Sequence, residues 1–286
     1  LFPEERVFGD LQDRASALIA IAHQLVGQAS PAVQSSLAAP LRAMNSSYTN
    51  KIEGHHTLPA DIERAMRQEF DADLALQRKQ RLAIAHMEAE LALEQATSVL
   101  DPRALFDPFR VQSIHEALYA RLPAADRLTD DGEVIIPGAW RTRRVTAGQH
   151  AAPPPEDVPS LMDAWAQRYC ELRGNELLAI GIACAHHRLT WIHPFTDGNG
   201  RTGRVLNSLF LIQEDLLTLP ILYLSRYIIK NKTEYYRLLL DVTHFPIIPR
   251  STDPVTISAR LLDELSVGLS ATLFWRVDGA PSFTAA

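Results

Sequence analysis

The residues best suited to chemistry lie together in Trp191-Ile192-His193-Pro194-Phe195-Thr196-Asp197-Gly198-Asn199-Gly200-Arg201-Thr202-Gly203-Arg204. Three glycines and an asparagine let successive backbone N–H groups turn inward, and a helix starting just beyond adds free N–H groups and the positive end of its dipole. That combination is an anion cradle. Arg201 and Arg204 stand three apart on the first turn of the helix, so both guanidinium groups can hold one anion with bidentate bonds. A phosphate chain suits them better than a single carboxylate. Asp197, on the rim, is placed to hold Mg²⁺ through one oxygen beside a polyphosphate. His193, with an ordinary imidazole pKa of about 6.5, is neutral at cytosolic pH and suits a general base that takes the proton of an attacking hydroxyl. Taken singly, each has a plainer role: Asp197 as a helix N-cap, the arginines as a solvated face, His193 as a helix-end residue bonded to a carbonyl. Their coincidence in one short stretch exceeds what a turn requires, since a turn needs only one glycine.

The elements that must position these residues are helices. Apolar stripes at helical spacing run through Leu74 to Leu93, Val111 to Leu122, Val158 to Leu172, Leu177 to Ile192, Val205 to Leu216, Leu222 to Val242 and Thr256 to Leu273. Pro194 forbids continuation of the helix ending at Ile192, and the next stripe starts at Val205, so the chemical stretch is a helix–loop–helix joint. The expected fold is mainly α. Glu133 to Ile136 and Trp140 to Val145 flank a Pro137-Gly138 turn and read as a short β-hairpin, closed off by Pro153-Pro154-Pro155. Two adjacent histidines, His186 and His187, point about 100° apart on a helix and read as packing residues rather than a metal pair.

Composition narrows the class. The chain has 286 residues, 47% of them hydrophobic, enough for a sizeable core. A net charge of −6 gives no general attraction to phosphate backbones or anionic lipid, so neither nucleic acid nor membrane is an expected partner. Ala15 to Leu41 is uncharged but carries His23, Gln24, Gln28, Pro31 and Gln34, and reads as two soluble amphipathic helices rather than a membrane span. Cys170 and Cys184 lack the spacing of a zinc site, and free thiols in a reducing cytoplasm are the favoured reading.

Two familiar phosphate motifs fail on context. Gly198 to Gly203 fits the G-x-G-x-x-G dinucleotide pattern, but a helix rather than a strand precedes it, and no Walker lysine is present. His193 to Arg204 instead resembles, at every specified position, the H-P-F-x-D/E-G-N-G-R-x-x-R signature of Fic-domain proteins, which transfer AMP from ATP to hydroxyl side chains of proteins. The resemblance covers roughly residues 40 to 245 and takes in Pro137 to Thr142 and Gly148 to Pro155, which look like the family's flap. It implies that His193 deprotonates the target hydroxyl, that Asp197 holds Mg²⁺, and that Gly198, Asn199 and Gly200 bind the α- and β-phosphates of ATP. Arg201 would hold the β-phosphate and Arg204 the γ-phosphate. The flap would align the target protein's extended segment by strand addition, with Ala147, Gly148, Gln149 and His150 near the nucleotide. Tyr235 and Tyr236 would flank the adenine, although an aromatic pair on an apolar helix serves a core equally well.

Ser46 to Gly54 is similar to the family's inhibitory S/T-x-x-x-E-G/N pattern, with Thr49, Glu53 and Gly54 at the fixed positions, in the subgroup whose inhibitory helix is N-terminal. By itself the stretch is a short helix ended by glycine. If Glu53 pairs with Arg204, that guanidinium is withdrawn from the γ-phosphate and the protein rests in a weakly active state. The expected organisation is an N-terminal helical region with the inhibitory segment (1–100), a Fic core (101–250) and a C-terminal helical tail (251–286), with a homodimer as one possible assembly. Three alternatives stay open at this level: hydrolytic removal of AMP with Glu53 positioning water, a donor other than ATP, and a nucleotide-gated binding module.

Overall fold

The computed structural model of the chain describes residues 5–28, 30–97, 102–147, 150–172, 175–213 and 224–240, with four short strands beyond. Contacts divide the chain into two units, Leu1–Leu240 and Asp241–Ala286. The first unit holds helices α1 (Glu5–Gly27), α2 (Pro31–Ile52), α3 (Pro59–Met66), α4 (Leu74–Thr97), α5 (Pro108–Ala120), α6 (Val158–Tyr169), α7 (Asn175–Ile192), α8 (Asn199–Gln213), α9 (Leu224–Lys230) and α10 (Lys232–Leu240). Its hairpin pairs β1 (Thr146–Ala147) antiparallel with β2 (His150–Ala151). The fold class is mainly α with a small β-hairpin, as the periodicity predicts.

Local signals start and stop these helices. Pro31, Pro59 and Pro108 occupy first helical positions, where a missing N–H costs nothing. The Asp107 carboxylate accepts from the Phe109 N–H (2.9 Å), and the Ser30 hydroxyl accepts from the Val33 N–H (3.4 Å). Gly54, at φ 86°, turns the chain off the end of α2. The core lies between α5, α6, α7 and α8: Trp165, Tyr169 and Phe210 surround Phe106, whose ring centroid is 4.3 Å from that of Phe210. The Trp165 indole N–H is satisfied by the Ala185 carbonyl (2.9 Å).

Helix α2 is held differently. Its buried face is polar: Arg42, Asn45, Ser46, Thr49 and Asn50 point inward. Asn45 donates to Glu90 of α4 (2.8 Å) and accepts from Ser225 of α9 (3.1 Å), and Ser46 donates to the Ala83 carbonyl (2.9 Å). Hydrogen bonds, together with the burial of Ala43 and Ile52, therefore fix the rotation of α2.

Two expectations are corrected. No hairpin forms between 133–136 and 140–145. The Ile135 N–H donates to the Arg127 carbonyl (2.8 Å) and the Thr129 N–H to the Glu133 carbonyl (2.8 Å), so this segment pairs backward, with an isolated Leu128–Val134 bridge. Beyond the turn, the Gly138 N–H is taken by the His115 ring and the Arg141 N–H by the Pro194 carbonyl (2.9 Å each). With its donors so occupied the segment has no free ladder, and the hairpin lies downstream at β1 and β2. In the second unit, the helix expected from Thr256 is replaced at its start by a strand: β4 (Thr256–Ala259) pairs antiparallel with β3 (Val242–Phe245). Thr256 and Ile257, both β-branched, face a partner strand that also begins with Val242 and Thr243, which favours a ladder over a helix. β5 (Phe274–Trp275) and β6 (Thr284–Ala285) form a second pair there.

Candidate active site

Helix α7 ends at Ile192, and His193 continues with φ 52°, a left-handed conformation that costs about 1–2 kcal/mol in a non-glycine residue and must be held by its surroundings. The His193 Nδ1 lies 3.2 Å from the Thr190 carbonyl oxygen. A carbonyl can only accept, so Nδ1 carries the proton and Nε2 presents its lone pair. Burial, the largest cause, pushes the imidazole pKa down to about 4 against the opposing hydrogen bond of Thr190, so the ring is neutral at physiological pH.

The turn from Phe195 to Asn199 closes on itself. The Asn199 amide accepts from the Phe195 N–H and donates to the Phe195 carbonyl, both at 2.8 Å, so its side chain belongs to the loop and only its backbone faces outward. The first bond of α8 runs from the Thr202 N–H to the Gly198 carbonyl (2.9 Å), which leaves the amides of Asn199, Gly200 and Arg201 without intrahelical partners. Gly198 has φ 80°, and a Cβ there would stand 2.5 Å from the Tyr119 ring, so glycine is required twice over.

Asp197 and Arg201 meet through a residue absent from the sequence reading. The Tyr119 hydroxyl donates to Asp197 Oδ2 (2.7 Å) and accepts from Arg201 Nη2 (2.6 Å), which itself reaches the same Oδ2 (2.7 Å). Burial raises the Asp197 pKa, but Arg201, then Tyr119 and the Gly198 backbone, outweigh it and leave the carboxyl at about 2. Arg201 is 1% exposed, and its Nε and Nη1 have no hydrogen-bond partner. Two buried, unsatisfied donors on a full cation beside free helix amides fit an anionic ligand. No cluster of three or more His, Cys, Asp or Glu side chains suited to an ion occurs among the described residues. An ionised Asp197 alone fits Mg²⁺, which characteristically takes one or two carboxylates and completes its shell with water and substrate phosphates.

Arg204 is turned toward α2. Its Nε donates to the Thr49 hydroxyl (2.7 Å), and its Nη2 to the Thr49 carbonyl (3.3 Å) and to Glu53 Oε1 (2.5 Å). A Cβ on Gly200 would collide with that same Oε1, so the Glu53 carboxylate sits against the start of α8. Burial raises the Glu53 pKa, but Arg204 and then Arg201 outweigh it, and the carboxyl stays below its usual range. Lys232 of α10 donates to the Ile52 carbonyl (2.9 Å), closing the end of α2.

Of the remaining candidates, Ala147 and His150 face each other across the hairpin, and Gly148 and Gln149 lie outside the described residues. The buried His150 ring donates from Nε2 to the Trp191 carbonyl (2.7 Å). The Tyr235 hydroxyl bonds His186 Nε2 (2.9 Å), and its ring meets Tyr236 edge-on at 5.4 Å, which gives His186 its packing role. A cleft of about 490 Å³ borders Glu53, His55, Tyr119, Asp197 and Arg201 and runs out to Arg144, Val145 and Thr146. Sequence reasoning missed Tyr119, His115 and Arg141. His115 donates from Nε2 to the Asp197 carbonyl (3.1 Å) while stacked on Phe195 at 3.9 Å. The available signal was a polar pair four residues apart, His115 and Tyr119, inside an apolar stripe.

Residues 105–211 match the family model described as the Fic/DOC family. It is 33% identical over 113 residues to protein adenylyltransferase Fic of Nematostella vectensis, an overlap of 39% of this chain and 25% of that protein. With the protein of the same name from Drosophila mojavensis it shares 34% over 104 residues, 36% of this chain and 21% of the relative. The chain thus spans about a quarter of the length of these curated relatives. Its fold is similar to that of a Fic family protein from Desulfovibrio desulfuricans G20 (TM-score 0.57, 21% identity, 79% of this chain and 65% of that one). A Fic domain containing signaling protein from Bacteroides thetaiotaomicron VPI-5482 is similar too (TM-score 0.56, 16% identity, 81% of each chain).

Proposed function

We propose that the chain is a protein adenylyltransferase that moves AMP from ATP to a Ser, Thr or Tyr hydroxyl of a target protein, and of itself, and that Glu53 holds it in check. The names of the curated relatives support the reaction class, and the site supplies the parts. The free amides at the start of α8, with the unsatisfied Nε and Nη1 of Arg201, would receive the phosphates. Asp197 would hold Mg²⁺, which when bound would neutralise charge on the phosphate chain. His193 Nε2 would take the proton as the target oxygen bonds to the α-phosphorus. The bond from that phosphorus to the bridging oxygen breaks, and pyrophosphate leaves. The negative charge of ATP would raise the imidazole pKa from about 4, so the base strengthens only when its substrate is present. The flap edge would align the target segment by strand pairing.

The observation that carries the regulated reading is the Glu53 carboxylate, held by Arg204 and lying against Gly200. An internal anion thus stands at the helix start where a phosphate would bind, and Arg204 is spent on it. Intact mass measurement after incubation with ATP and Mg²⁺ tests the proposal. Glu53→Gly should gain AMP units while the wild type gains few, and adding His193→Ala should abolish the gain. No gain in Glu53→Gly, together with loss of AMP from pre-modified protein only when Glu53 is intact, would replace transfer by removal.

A further inference from the structure

The carbonyls at the end of α7 are taken up one after another. Thr190 is bonded by the His193 ring, Trp191 by His150, Ile192 and His193 by the Arg141 guanidinium, and Pro194 by the Arg141 N–H. A helix C-terminus leaves its last carbonyls without intrahelical donors, and here the flap and its approach supply nearly all of them. Arg141 Nε reaches the His193 oxygen at 2.7 Å and Nη2 the Ile192 oxygen at 3.4 Å. The same guanidinium donates from Nη1 to Arg143 (2.9 Å) and from Nη2 to Pro153 (2.6 Å), one on each side of the hairpin.

We infer that Arg141 is a positioning residue for the His193 base: one buried guanidinium ties both limbs of the flap to the backbone of His193 and thereby sets where the imidazole stands. The inference rests on the proposed role of His193 in transfer. Arg141 is 3% exposed, and all four hydrogen bonds of its guanidinium end on backbone carbonyls. A buried cation without a bonded carboxylate is a poor way to gain stability, since an apolar residue would fill the space at lower cost. What it supplies is direction: a planar fork with five donors can fix several carbonyls at once, whereas a lysine offers a single point. The charge also suits the negative end of the α7 dipole. His193 needs such a clamp because its φ of 52° is not one a non-glycine residue keeps unaided. A target segment paired with the flap edge would then act through Arg141 on the backbone of His193.

The test uses the full chain carrying Glu53→Gly, with Arg141→Met and Arg141→Lys added separately. Transfer of label from α-³²P-ATP gives kcat and KM, ¹⁵N NMR of the histidine rings reports the His193 tautomer and titration, and thermal melting reports the fold. The titratable and charged groups acting on His193 are Glu53, His150 and Arg141. Arg141→Met should lower kcat about 100-fold, the order expected for misplacing a catalytic group by about 1 Å, with KM for ATP changed by less than about threefold. The Nδ1–H signal of His193 should give way to a mixture of tautomers, and Arg141→Lys should recover part of both. Equal losses in kcat and in folded fraction, or an unchanged His193 tautomer in either folded variant, would overturn the inference. If the parent transfers no AMP, the functional proposal fails, and the His193 tautomer still decides the role of Arg141. If Arg141→Met does not fold, Arg141→Lys carries the test, and parental kcat and tautomer there overturn it.

Discussion

Glu53 Oε1 and Arg204 Nη2 lie 2.5 Å apart across 151 positions of sequence, and Thr49, one helical turn before Glu53, bonds the same guanidinium. A carboxylate and a hydroxyl on one helix thus hold the arginine that closes the proposed phosphate-binding motif. Because Arg204 is nearly buried, its position is a choice between α2 and a ligand rather than an exposed pair that salt would dissolve.

Thr49→Val removes the acceptor of Arg204 Nε in a fully buried place while keeping shape. The unmet donor should cost about 1–3 kcal/mol in urea unfolding. AMP transfer should rise above wild type but stay below Glu53→Gly, because Glu53 remains. A variant as inactive and as stable as wild type would contradict the hold ascribed to Thr49.

Gly200→Ala inserts a methyl group where the Glu53 carboxylate rests. Displacing that carboxylate from Arg204 should lower the melting temperature, and in the Glu53→Gly background, where the internal anion is already gone, the narrowed cradle should weaken nucleotide binding at least about tenfold, or about 1.4 kcal/mol, by isothermal titration. Unaltered ATP affinity in Glu53→Gly/Gly200→Ala would place the phosphates elsewhere.

Tyr119→Phe deletes the hydroxyl shared by Asp197 and Arg201 and leaves Arg201 with a third nitrogen less well satisfied. A loss of about 1–3 kcal/mol is expected from denaturant titration. Mg²⁺ dependence of transfer should shift to higher concentration as Asp197 loses its support. Retained stability and Mg²⁺ response would show that the hydroxyl is idle.

Stability should peak near neutral pH. The buried imidazoles of His115, His186 and His193 have pKa values of about 4, and His86 of about 3, chiefly through burial. Unfolding returns each toward 6.5, so the unfolded chain binds the extra protons. Their contribution is whole above about 6.5 and lost toward pH 4, at up to about 1.4 kcal/mol per pH unit for each ring. Glu90 runs the other way. Burial, helped by Glu94, raises it from 4.5 to about 8, so its contribution is present below 4.5 and lost as pH rises toward 8. Melting temperatures should therefore climb from about pH 4 to 6.5 and decline gently to about pH 8, and Glu90→Gln should flatten the decline and steepen the climb above about pH 4.5. A decline that persists unchanged in Glu90→Gln would remove Glu90 as its cause.

What could be read from the chain follows the range of the interactions. The loop from His193 to Arg204 was legible because its parts are neighbours in sequence: Pro194 stops a helix, Gly198 accepts φ 80°, and the amides of α8 are free by the arithmetic of helix bonding. The pairing of Glu53 with Arg204 was suggested only by resemblance to a family pattern, since no local rule joins residues so far apart. Tyr119 looked like any aromatic residue of an apolar stripe, and Arg141 like one of several arginines beside a turn. The misplaced hairpin has the same origin. Strand propensity at 133–145 was real, but the backbone donors there are claimed by Arg127, His115 and Pro194, and the winner of that competition depends on what packs nearby.

Sequence alone therefore determined the helical class and the glycine-lined bend proposed to bind an anion, with the side chains gathered there, because side-chain chemistry and backbone stereochemistry act within a few residues. Tertiary structure decided which partner each buried charge meets: Arg204 with Glu53, Arg201 with Tyr119 and Asp197, Arg141 with the carbonyls around His193. A group removed from water must be satisfied by whatever the packing brings within about 3 Å, and only the closed fold specifies that neighbour.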